Sequence, residues 1–452
     1  MSRRPDPWLL AAVLLPVVAV VASLLATSPA PAPVADRPPE ETALARSTVV
    51  CPPGGRDLVV ASTAGASGSV DLRTPGGREQ LEIEPGTATR TRVGGGAVVV
   101  TGLDDLAPGL VAARFASPLS SVVCSEPEAD QWFTGLGAGA RHRSTLQLVN
   151  PDGGQAIVDV TVLGRNGEVE AAELRGITVP GGSTFVVDLA SELPRRDDLA
   201  LRVQTLRGRV VAGVRDSFEE IGGDQGADAL PAQDAPSTEN LVLGVPEGSG
   251  QRTLVLANPG DEEGRSTIRL VTGRSVFTPE AGREVTVGAG SVRRVPLSRL
   301  LRGEDRGGDE RPLGLLVQST VGLTADLVSF VSGDLVHTAP STPVDGDGGT
   351  VPLPGSGRAT LVLGGAVSQD VVTVQLWDAD GERLDDRREE LGTERALAVR
   401  LPRKARLVRV VPRDGTVSTV VLVSDGDRGT TLVRPLQGPT TGLVPQVSPA
   451  LP

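Results

Sequence analysis

Residues 145–151 read Thr145-Leu-Gln-Leu-Val-Asn150-Pro151, and the stretch recurs as Thr253-Leu-Val-Leu-Ala-Asn258-Pro259 and as Thr360-Leu-Val-Leu-Gly364-Gly365. Thr253 lies 108 residues after Thr145, and Thr360 lies 107 residues after Thr253. Alternating apolar residues predict a β-strand in each stretch, and the Asn-Pro pair predicts a turn after it. Repetition at this period predicts a chain built from copies of one structural unit.

The clearest copy, residues 131–236, predicts seven short strands separated by turns. They are Trp132–Leu136, Thr145–Val149, Ala156–Leu163, part of Glu168–Val179, Thr184–Leu189, Leu199–Thr205 and Val210–Arg215. Seven strands in about 100 residues are typical of an immunoglobulin-like sandwich. An eighth strand near Ala229–Ala235 would give two four-stranded blades per copy, so an eight-bladed β-propeller is the alternative.

The repeat register, the composition and the N-terminal sequence predict the domain organisation. We expect an all-β protein, in which an N-terminal transmembrane helix precedes four tandem immunoglobulin-like β-sandwich modules. The predicted segments are 1–7, a cytoplasmic stub; 8–26, a transmembrane anchor or signal; 27–46, a Pro/Ala-rich linker; 47–130, 131–238, 239–347 and 348–438, the four β modules; and 439–452, a C-terminal strand or tail.

The N-terminus predicts the location of the protein. Arg3 and Arg4 precede an uncharged apolar run at residues 8–26, which is long enough to cross a bilayer. The two arginines favour a cytoplasmic N-terminus, so we expect a single-pass plasma-membrane protein with its bulk outside the cytoplasm. Because Ala30-Pro31-Ala32 resembles a signal cleavage site, secretion after cleavage is the alternative.

The chain has two cysteines, Cys51 and Cys124, and both follow the apolar run. An even pair in an oxidising compartment predicts one disulfide. On the chain-entropy model, a bond across a loop of this length contributes roughly 4 kcal/mol to the free energy of unfolding.

Charge and residue counts exclude several functions. The formal net charge of −12 argues against nucleic acid as a partner. The two histidines, His142 and His337, lie in different copies, and we expect solvated positions for them; no G-x-S-x-G elbow occurs either. The acidic runs at 345–349 and 378–382 are interpreted as turns rather than calcium loops. We therefore expect no enzyme, no catalytic residue, no cofactor and no metal site.

Aromatic side chains are scarce, at 2% of the chain, so the few present are the candidate interaction residues. Trp132 and Phe133 open a copy, and Trp377 ends an apolar run. Exposed and convergent rings would favour sugar stacking, whereas buried and dispersed rings would be core or inter-module contacts.

Several further strings carry a family resemblance. They include Leu241-Val-Leu-Gly244, the Asn258-Pro-Gly260 turn, Leu315-Leu-Val-Gln-Ser319 and Leu323-Thr-Ala325. The chain resembles an actinobacterial membrane-anchored envelope family of unknown function, DUF5719-like, built from extracellular immunoglobulin-like repeats. The resemblance implies an anchored envelope protein and assigns no catalytic residue.

These observations lead us to expect a membrane-anchored extracytoplasmic structural or interaction protein of the cell envelope. It would be non-catalytic and could scaffold surface-glycan or cell-wall assembly. Envelope proteins or surface glycans are the expected partners, with the membrane contacted through residues 8–26. The alternative function is an envelope carbohydrate-binding or carbohydrate-active accessory protein.

Overall fold

The computed structural model describes residues 7–25, 39–63, 65–223, 225–282, 284–301 and 310–444, with some side chains of the first helix excepted. Strands make up 58% and helices 7%, and the strands form several antiparallel sheets, so the mostly-β prediction is confirmed. Most of the predicted stub, much of the predicted linker and the last eight residues lie outside the described residues.

The described residues form two compact units. The first contains the described residues up to Thr42 and those from Gly442, and the second contains the described residues of Ala43–Thr441. In the first unit, helix α1 spans Pro7–Leu25 and contains Pro16. Strand β1 spans Glu40–Ala43. In the part of the chain that the structure describes, no helix is long and apolar enough to cross a membrane. The anchor predicted for residues 8–26 stays a prediction.

The first strand group forms two four-stranded sheets, and its described residues include one 3-10 turn, Asp104–Leu106. Its strands are β2 Arg46–Cys51, β3 Asp57–Ser62, β4 Gly68–Thr74, β5 Gly77–Ile83, β6 Thr89–Arg92, β7 Val98–Leu103, β8 Leu110–Ala116 and β9 Ser120–Val123. The strand orders are β2-β7-β4-β5 and β6-β3-β8-β9.

The second group follows the copy that the sequence shows most clearly. Its strands are β10 Asp130–Ala138, β11 His142–Val149, β12 Ala156–Gly164, β13 Gly167–Val169, β14 Ile177–Val179, β15 Thr184–Asp188, β16 Arg196–Arg207, β17 Val211–Glu219 and β18 Gln225–Leu230. A 3-10 turn at Ala172–Leu174 and the one-turn helix α2, Leu189–Glu192, complete it. The seven predicted strands are present. An additional last strand, β18, overlaps the beginning of Ala229–Ala235, where an eighth strand was considered.

The third group repeats the strand order of the second. Its strands are β19 Ser237–Leu243, β20 Gly250–Ala257, β21 Gly264–Thr272, β22 Val276–Phe277, β23 Val285–Val287, β24 Val292–Pro296, β25 Pro312–Val331 and β26 Asp334–Thr338. It also contains a 3-10 turn at Glu280–Gly282 and helix α3, Ser298–Leu301. The long β25 pairs with β19 and β21 through its first half and with β20 and β26 through its second half.

The fourth group again forms two sheets. Its strands are β27 Pro343–Val344, β28 Gly349–Pro352, β29 Arg358–Gly364, β30 Asp370–Trp377, β31 Arg383–Leu391, β32 Leu397–Arg400, β33 Leu407–Pro412, β34 Val417–Ser424 and β35 Thr430–Val433, with a 3-10 turn at Gly426–Arg428. The last strand, β36 Thr441–Val444, pairs with β1 in the first unit.

The repeated threonine occupies an equivalent strand pair in the second, third and fourth groups. The equivalent pairs are Thr145 with Asp188, Thr253 with Pro296, and Thr360 with Arg400. The first, second and third groups each bury an apolar cluster of their own, to which both of their sheets or half-sheets contribute. The cluster of the fourth group also includes Val59, Ala113 and Phe115 of the first group. In β30, for example, Val372, Val374 and Leu376 point inward while the residues between them are partly exposed, as expected for a strand with one buried face.

The repeated Asn-Pro turn has a structural explanation. Asn150 Nδ2 donates to the carbonyl oxygens of Gly154 at 2.7 Å and Val179 at 3.1 Å, and its Oδ1 accepts from the Asp152 N–H at 2.9 Å. Asn258, 108 residues later, makes the equivalent three bonds to Glu262, Val287 and Gly260. Both amides are buried, so each fastens a turn to the neighbouring strand β14 or β23.

Candidate functional site at the meeting point of the four strand groups

The last strands of the four groups form a closed arrangement, which we call the end-strand ring. Strand β9 contacts β18, β18 contacts β26, β26 contacts β35, and β35 contacts β9. Groups that lie far apart in the sequence therefore meet at one place.

Hydroxyl groups close the end-strand ring between the fourth and first groups. Thr431 Oγ1 donates to Ser121 Oγ at 2.9 Å, and Ser121 Oγ donates to the Leu432 carbonyl, also at 2.9 Å. The backbone N–H of Leu119 donates to the Arg428 carbonyl at 2.6 Å. Contacts of this kind fix β9 against β35 without using charge.

A buried histidine joins the second and third groups. His337, on β26, has no exposed side-chain area and lies between two carboxylates. Its Nδ1 is 2.7 Å from Asp326 Oδ2, on β25, and its Nε2 is 3.0 Å from Asp216 Oδ2, on β17. Both ring nitrogens face carboxylate oxygens, which is the arrangement that a doubly protonated imidazolium satisfies.

Asp216 is the centre of this buried cluster. Besides His337, its carboxylate has His142 Nε2 at 2.8 Å and accepts from Ser144 Oγ at 2.5 Å. Its strand explains the position, because Val214, Asp216 and Phe218 alternate along β17 and share one face of the sheet. We call His142, Ser144, Asp216, Asp326 and His337 the buried ion cluster.

Burial and charge act in opposite directions on these groups. Burial alone would lower the pKa of His337, but Asp326 and Asp216 outweigh it and raise that pKa to about 10. Burial alone would raise the pKa of Asp216, yet the charges and hydrogen bonds of His142 and His337 hold it well below its usual range. For Asp326, burial dominates and the pKa is raised. The cluster thus contains an imidazolium and a carboxylate inside the protein at neutral pH.

Asp228, on β18, is a second buried acid beside this cluster. Its Oδ2 accepts from the His337 backbone N–H at 3.1 Å, while its buried Oδ1 has no hydrogen-bond partner among the described residues. Burial raises the pKa of Asp228 to about 7, so the carboxyl changes charge near neutral pH.

The cluster corrects our expectation for the histidines. We expected separate solvated positions for His142 and His337, but His337 is buried, the His142 side chain is only 12% exposed, and the two share one carboxylate, because the second and third groups pack against each other along β18 and β26. Since the His337 ring has no exposed area, it cannot touch a substrate in this conformation. The arrangement can hold charge and join strands. In the described part of the chain, no group of three or more His, Cys, Asp or Glu is arranged to hold a metal ion.

Two adjoining spaces lie beside the end-strand ring. The central cavity, of about 220 Å³, is lined by residues of all four groups, including Gln147, Asp228, His337 and Arg434. The arginine groove, of about 350 Å³, is lined by residues that include Arg141, Arg143, Arg215, Ser117 and Phe218. Ser120, Arg215 and Ala227 line both, so the spaces are contiguous.

A buried arginine shapes one wall of the central cavity. Arg114, on β8, is 0% exposed and donates to five backbone carbonyl groups. They belong to Pro52, Gly54, Gly55, Gly94 and Gly96. Burial lowers its pKa to about 10, so the guanidinium stays charged at neutral pH. One planar fork therefore holds the 52–55 loop in place.

The aromatic candidates lie inside the protein or between groups. Trp132 is 4% exposed and packs on Val255, Ala257 and other residues of the second and third groups. Phe133 is fully buried in the core of the second group and reaches the wall of the central cavity. Trp377 is partly buried and packs with Ala61 and Val111 of the first group. The three side chains do not converge in one exposed cleft.

The predicted disulfide is confirmed. Cys51, at the end of β2, is bonded to Cys124, just after β9, across a separation of 73 residues. Both residues are buried in the core of the first group. The bond ties the first strand of that group to its contribution to the end-strand ring.

Comparison with known proteins gives one family and no function. The sequence model of a family described as "Family of unknown function (DUF5719)" matches residues 87–402, well over half of the chain. No curated protein matches.

Proposed function

Since the chain belongs to the DUF5719 family of unknown function, whose description assigns no activity, we propose a function from the structure. The protein is a membrane-anchored, extracytoplasmic structural or interaction protein of the cell envelope, and it is non-catalytic. Its partners are envelope proteins or surface glycans, and an actinobacterial envelope is the proposed setting.

The end-strand ring is the observation that carries this proposal. Side chains that could take part in a reaction or in stacking are used for contacts between strand groups. The imidazolium of His337 has no exposed area, and Trp132 packs between the second and third groups. The outer surface of the second unit consists of sheets and the arginine groove. Such a surface suits binding and support better than a reaction that needs an accessible acid, base or nucleophile.

The proposed location has two supports. The sequence of residues 8–26 is apolar, carries no charged side chain and has the length that a bilayer-spanning segment needs. The Cys51–Cys124 bond persists in an oxidising compartment and is rare in the reducing cytosol. We propose that residues 8–26 are retained as the anchor, and cleavage with secretion is the competing outcome.

We further propose that each strand group is an immunoglobulin-like sandwich and that the four sandwiches form a ring. The separate cores of the second and third groups, each enclosed between the two halves of one sheet, support the sandwich. The closure of β35 onto β9 is a property that the alternative β-propeller would share. The two halves of a group share one core here, whereas neighbouring propeller blades would each be a separate sheet around a common axis.

In-cell photo-crosslinking tests the function. The full chain would carry a photoreactive residue at Arg143, in the groove, or at Arg388, an exposed position on β31, and captured material would be identified by mass spectrometry. We expect reproducible capture of an envelope protein or glycan from the groove position above the level at Arg388. Recovery of the chain alone from both positions would contradict an interaction role.

A carbohydrate-binding accessory function is the second candidate. One observation favours it, which is the groove lined by three arginines and several serines next to a polar cavity. A carbohydrate-active enzyme has less support, because the buried ion cluster offers no exposed acid pair.

A further inference from the structure

The floor of the arginine groove is one face of the sheet formed by β11, β17 and β18. Arg143 pairs with Ser217, and Arg215 pairs with Thr145 two positions along. Because alternate residues of a strand share a face, Arg143 and Arg215 are diagonal neighbours on that face. The buried ion cluster uses the opposite face through Ser144 and Asp216. One sheet thus separates a buried charge cluster from an exposed basic surface.

The three arginines of the groove lack carboxylate partners. Arg141, Arg143 and Arg215 are exposed, and none forms an ion pair within the described ranges. By contrast, Arg202 pairs with Asp130 and Arg209 with Asp152. In a chain of net charge −12, three guanidinium groups without an ion pair among the described residues give one groove a local positive surface.

Hydroxyl groups of the first strand group face this surface. Ser117 and Ser120 line the groove from the segment that leads into β9, while Ser217 lies on the floor. The adjoining central cavity adds the Gln147 amide and the loop that Arg114 holds. Together the two spaces fall within the roughly 300–1,000 Å³ that small-molecule sites usually occupy.

Two acids also line the groove and would oppose an anion. Asp334 has a raised pKa because it is partly buried, and its Oδ2 accepts from the Thr430 N–H at 2.6 Å. Glu219 lies at the outer end, where its N–H donates to the Arg141 carbonyl. Three arginines outnumber these two acids, and the Asp334 carboxyl already accepts a hydrogen bond from Thr430.

We propose that the arginine groove binds an acidic saccharide, a short glycan segment that bears carboxylate or phosphate groups. Guanidinium groups bind either anion through paired N–H donors, and the serines and the Gln147 amide suit sugar hydroxyl groups. A nucleic acid is a poorer fit, because a polyanion backbone needs many basic contacts and the rest of this surface is acidic. This inference rests on the proposed interaction function and names its partner class.

Calorimetric titration of the purified full chain in detergent tests the inference. The probes are tetragalacturonate, the uncharged maltotetraose, inorganic phosphate and a tetraglutamate peptide. We expect tetragalacturonate to bind most tightly, and its affinity to fall as salt screens the guanidinium charges. The double variant Arg143→Gln/Arg215→Gln should weaken binding at least about tenfold, because it removes two charged hydrogen-bond donors from the groove.

Arg388→Gln is the matched control, because Arg388 is also an exposed strand arginine but lines neither space. It should bind like the unmodified chain. Three results would overturn the inference: equal binding of maltotetraose, equal binding of phosphate or tetraglutamate, or no change in the double variant. After any of these results the proposed function still holds if the photo-crosslink at Arg143 captures an envelope component. The saccharide inference and the proposed function can therefore fail separately.

Discussion

His337 Nε2 lies 3.0 Å from Asp216 Oδ2, across 121 residues of sequence, and this contact joins the second and third strand groups inside the protein. The imidazolium also faces Asp326, so two carboxylates depend on one cation. A buried charge that loses its partner costs far more than a surface charge does. The stability of the packing between these groups should therefore depend on a single side chain.

Replacing His337 by Ala should destabilise the protein strongly. We expect a loss of about 3–5 kcal/mol in the free energy of unfolding, because Asp216 and Asp326 would be left without their shared cation. His142→Ala should cost less, about 1–3 kcal/mol, since Asp216 keeps His337 and Ser144. Guanidinium unfolding followed by circular dichroism measures both values. A smaller loss in His337→Ala than in His142→Ala would contradict the central role of His337.

The same groups predict how stability depends on pH. The pKa of Asp216 is depressed by folding, so its contribution is present above pH about 4 and is lost as pH falls. The pKa of His337 is raised to about 10, so its contribution is complete below about pH 6.5 and is lost as pH rises toward 10. We expect maximal thermal stability between about pH 4 and 6.5, measured by scanning calorimetry. A maximum above pH 8 would contradict this assignment.

Asp228 adds a separate pH effect. Its pKa is raised to about 7, so its contribution is complete below about pH 4 and is lost as pH rises through 7. Asp228→Asn, which keeps the acceptor for the His337 N–H, should stabilise the protein at pH 8 by on the order of 1–3 kcal/mol and have little effect at pH 4. Asp71→Asn, at an exposed strand position, is the control and should change neither value. Equal effects of Asp228→Asn at both pH values would argue against a titrating Asp228.

Removing the disulfide should cost roughly 4 kcal/mol on the chain-entropy model. We expect the double variant Cys51→Ala/Cys124→Ala to unfold at lower denaturant concentration than the unmodified chain. A reductant should destabilise the unmodified chain and leave the variant unchanged, which makes the variant its own control. Thiol labelling of the denatured, unreduced protein should find no free cysteine; labelling at both positions would show that the bond had not formed.

The repeated asparagine should be a stability residue in both of its copies. Asn258→Ala removes three hydrogen bonds from a buried turn, so we expect a loss of about 2–3 kcal/mol, with a similar loss for Asn150→Ala. Asn166→Ala, in the β12–β13 turn, should change the free energy of unfolding by less than about 0.5 kcal/mol. Denaturant titration measures all three variants. Comparable losses at positions 166 and 258 would mean that the buried amide has no special role.

Local patterns predicted the strands well because a strand needs only alternation and a turn. Val372, Val374 and Leu376 alternate in the sequence and are buried on one face of β30. The Asn150 turn and its copy at Asn258 were visible as a repeat, and their hydrogen bonds explain why asparagine recurs. Gly365 stands at the third equivalent position, where no side-chain amide can fasten the turn.

The buried ion cluster could not be predicted in the same way, because its members come together only when whole strand groups pack. His142 and His337 are 195 positions apart, and nothing in their local sequences indicates a shared carboxylate. A weaker signal was present: Asp216 occupies an inward position in an apolar alternating strand, between Val214 and Phe218. An acid at such a position requires a partner from elsewhere in the fold.

The closed end-strand ring also restricts how such a chain can change in evolution. Open arrays of repeats tolerate gain or loss of single units, because each repeat contacts only its neighbours. Here the two junctions described above differ in chemistry: the imidazolium of His337, on β26, faces Asp216 of β17, whereas hydroxyl groups join β35 to β9. Deleting or exchanging one copy would leave Asp216 or Ser121 facing the wrong partner. We therefore expect the number and the order of the copies to be kept together when the chain evolves.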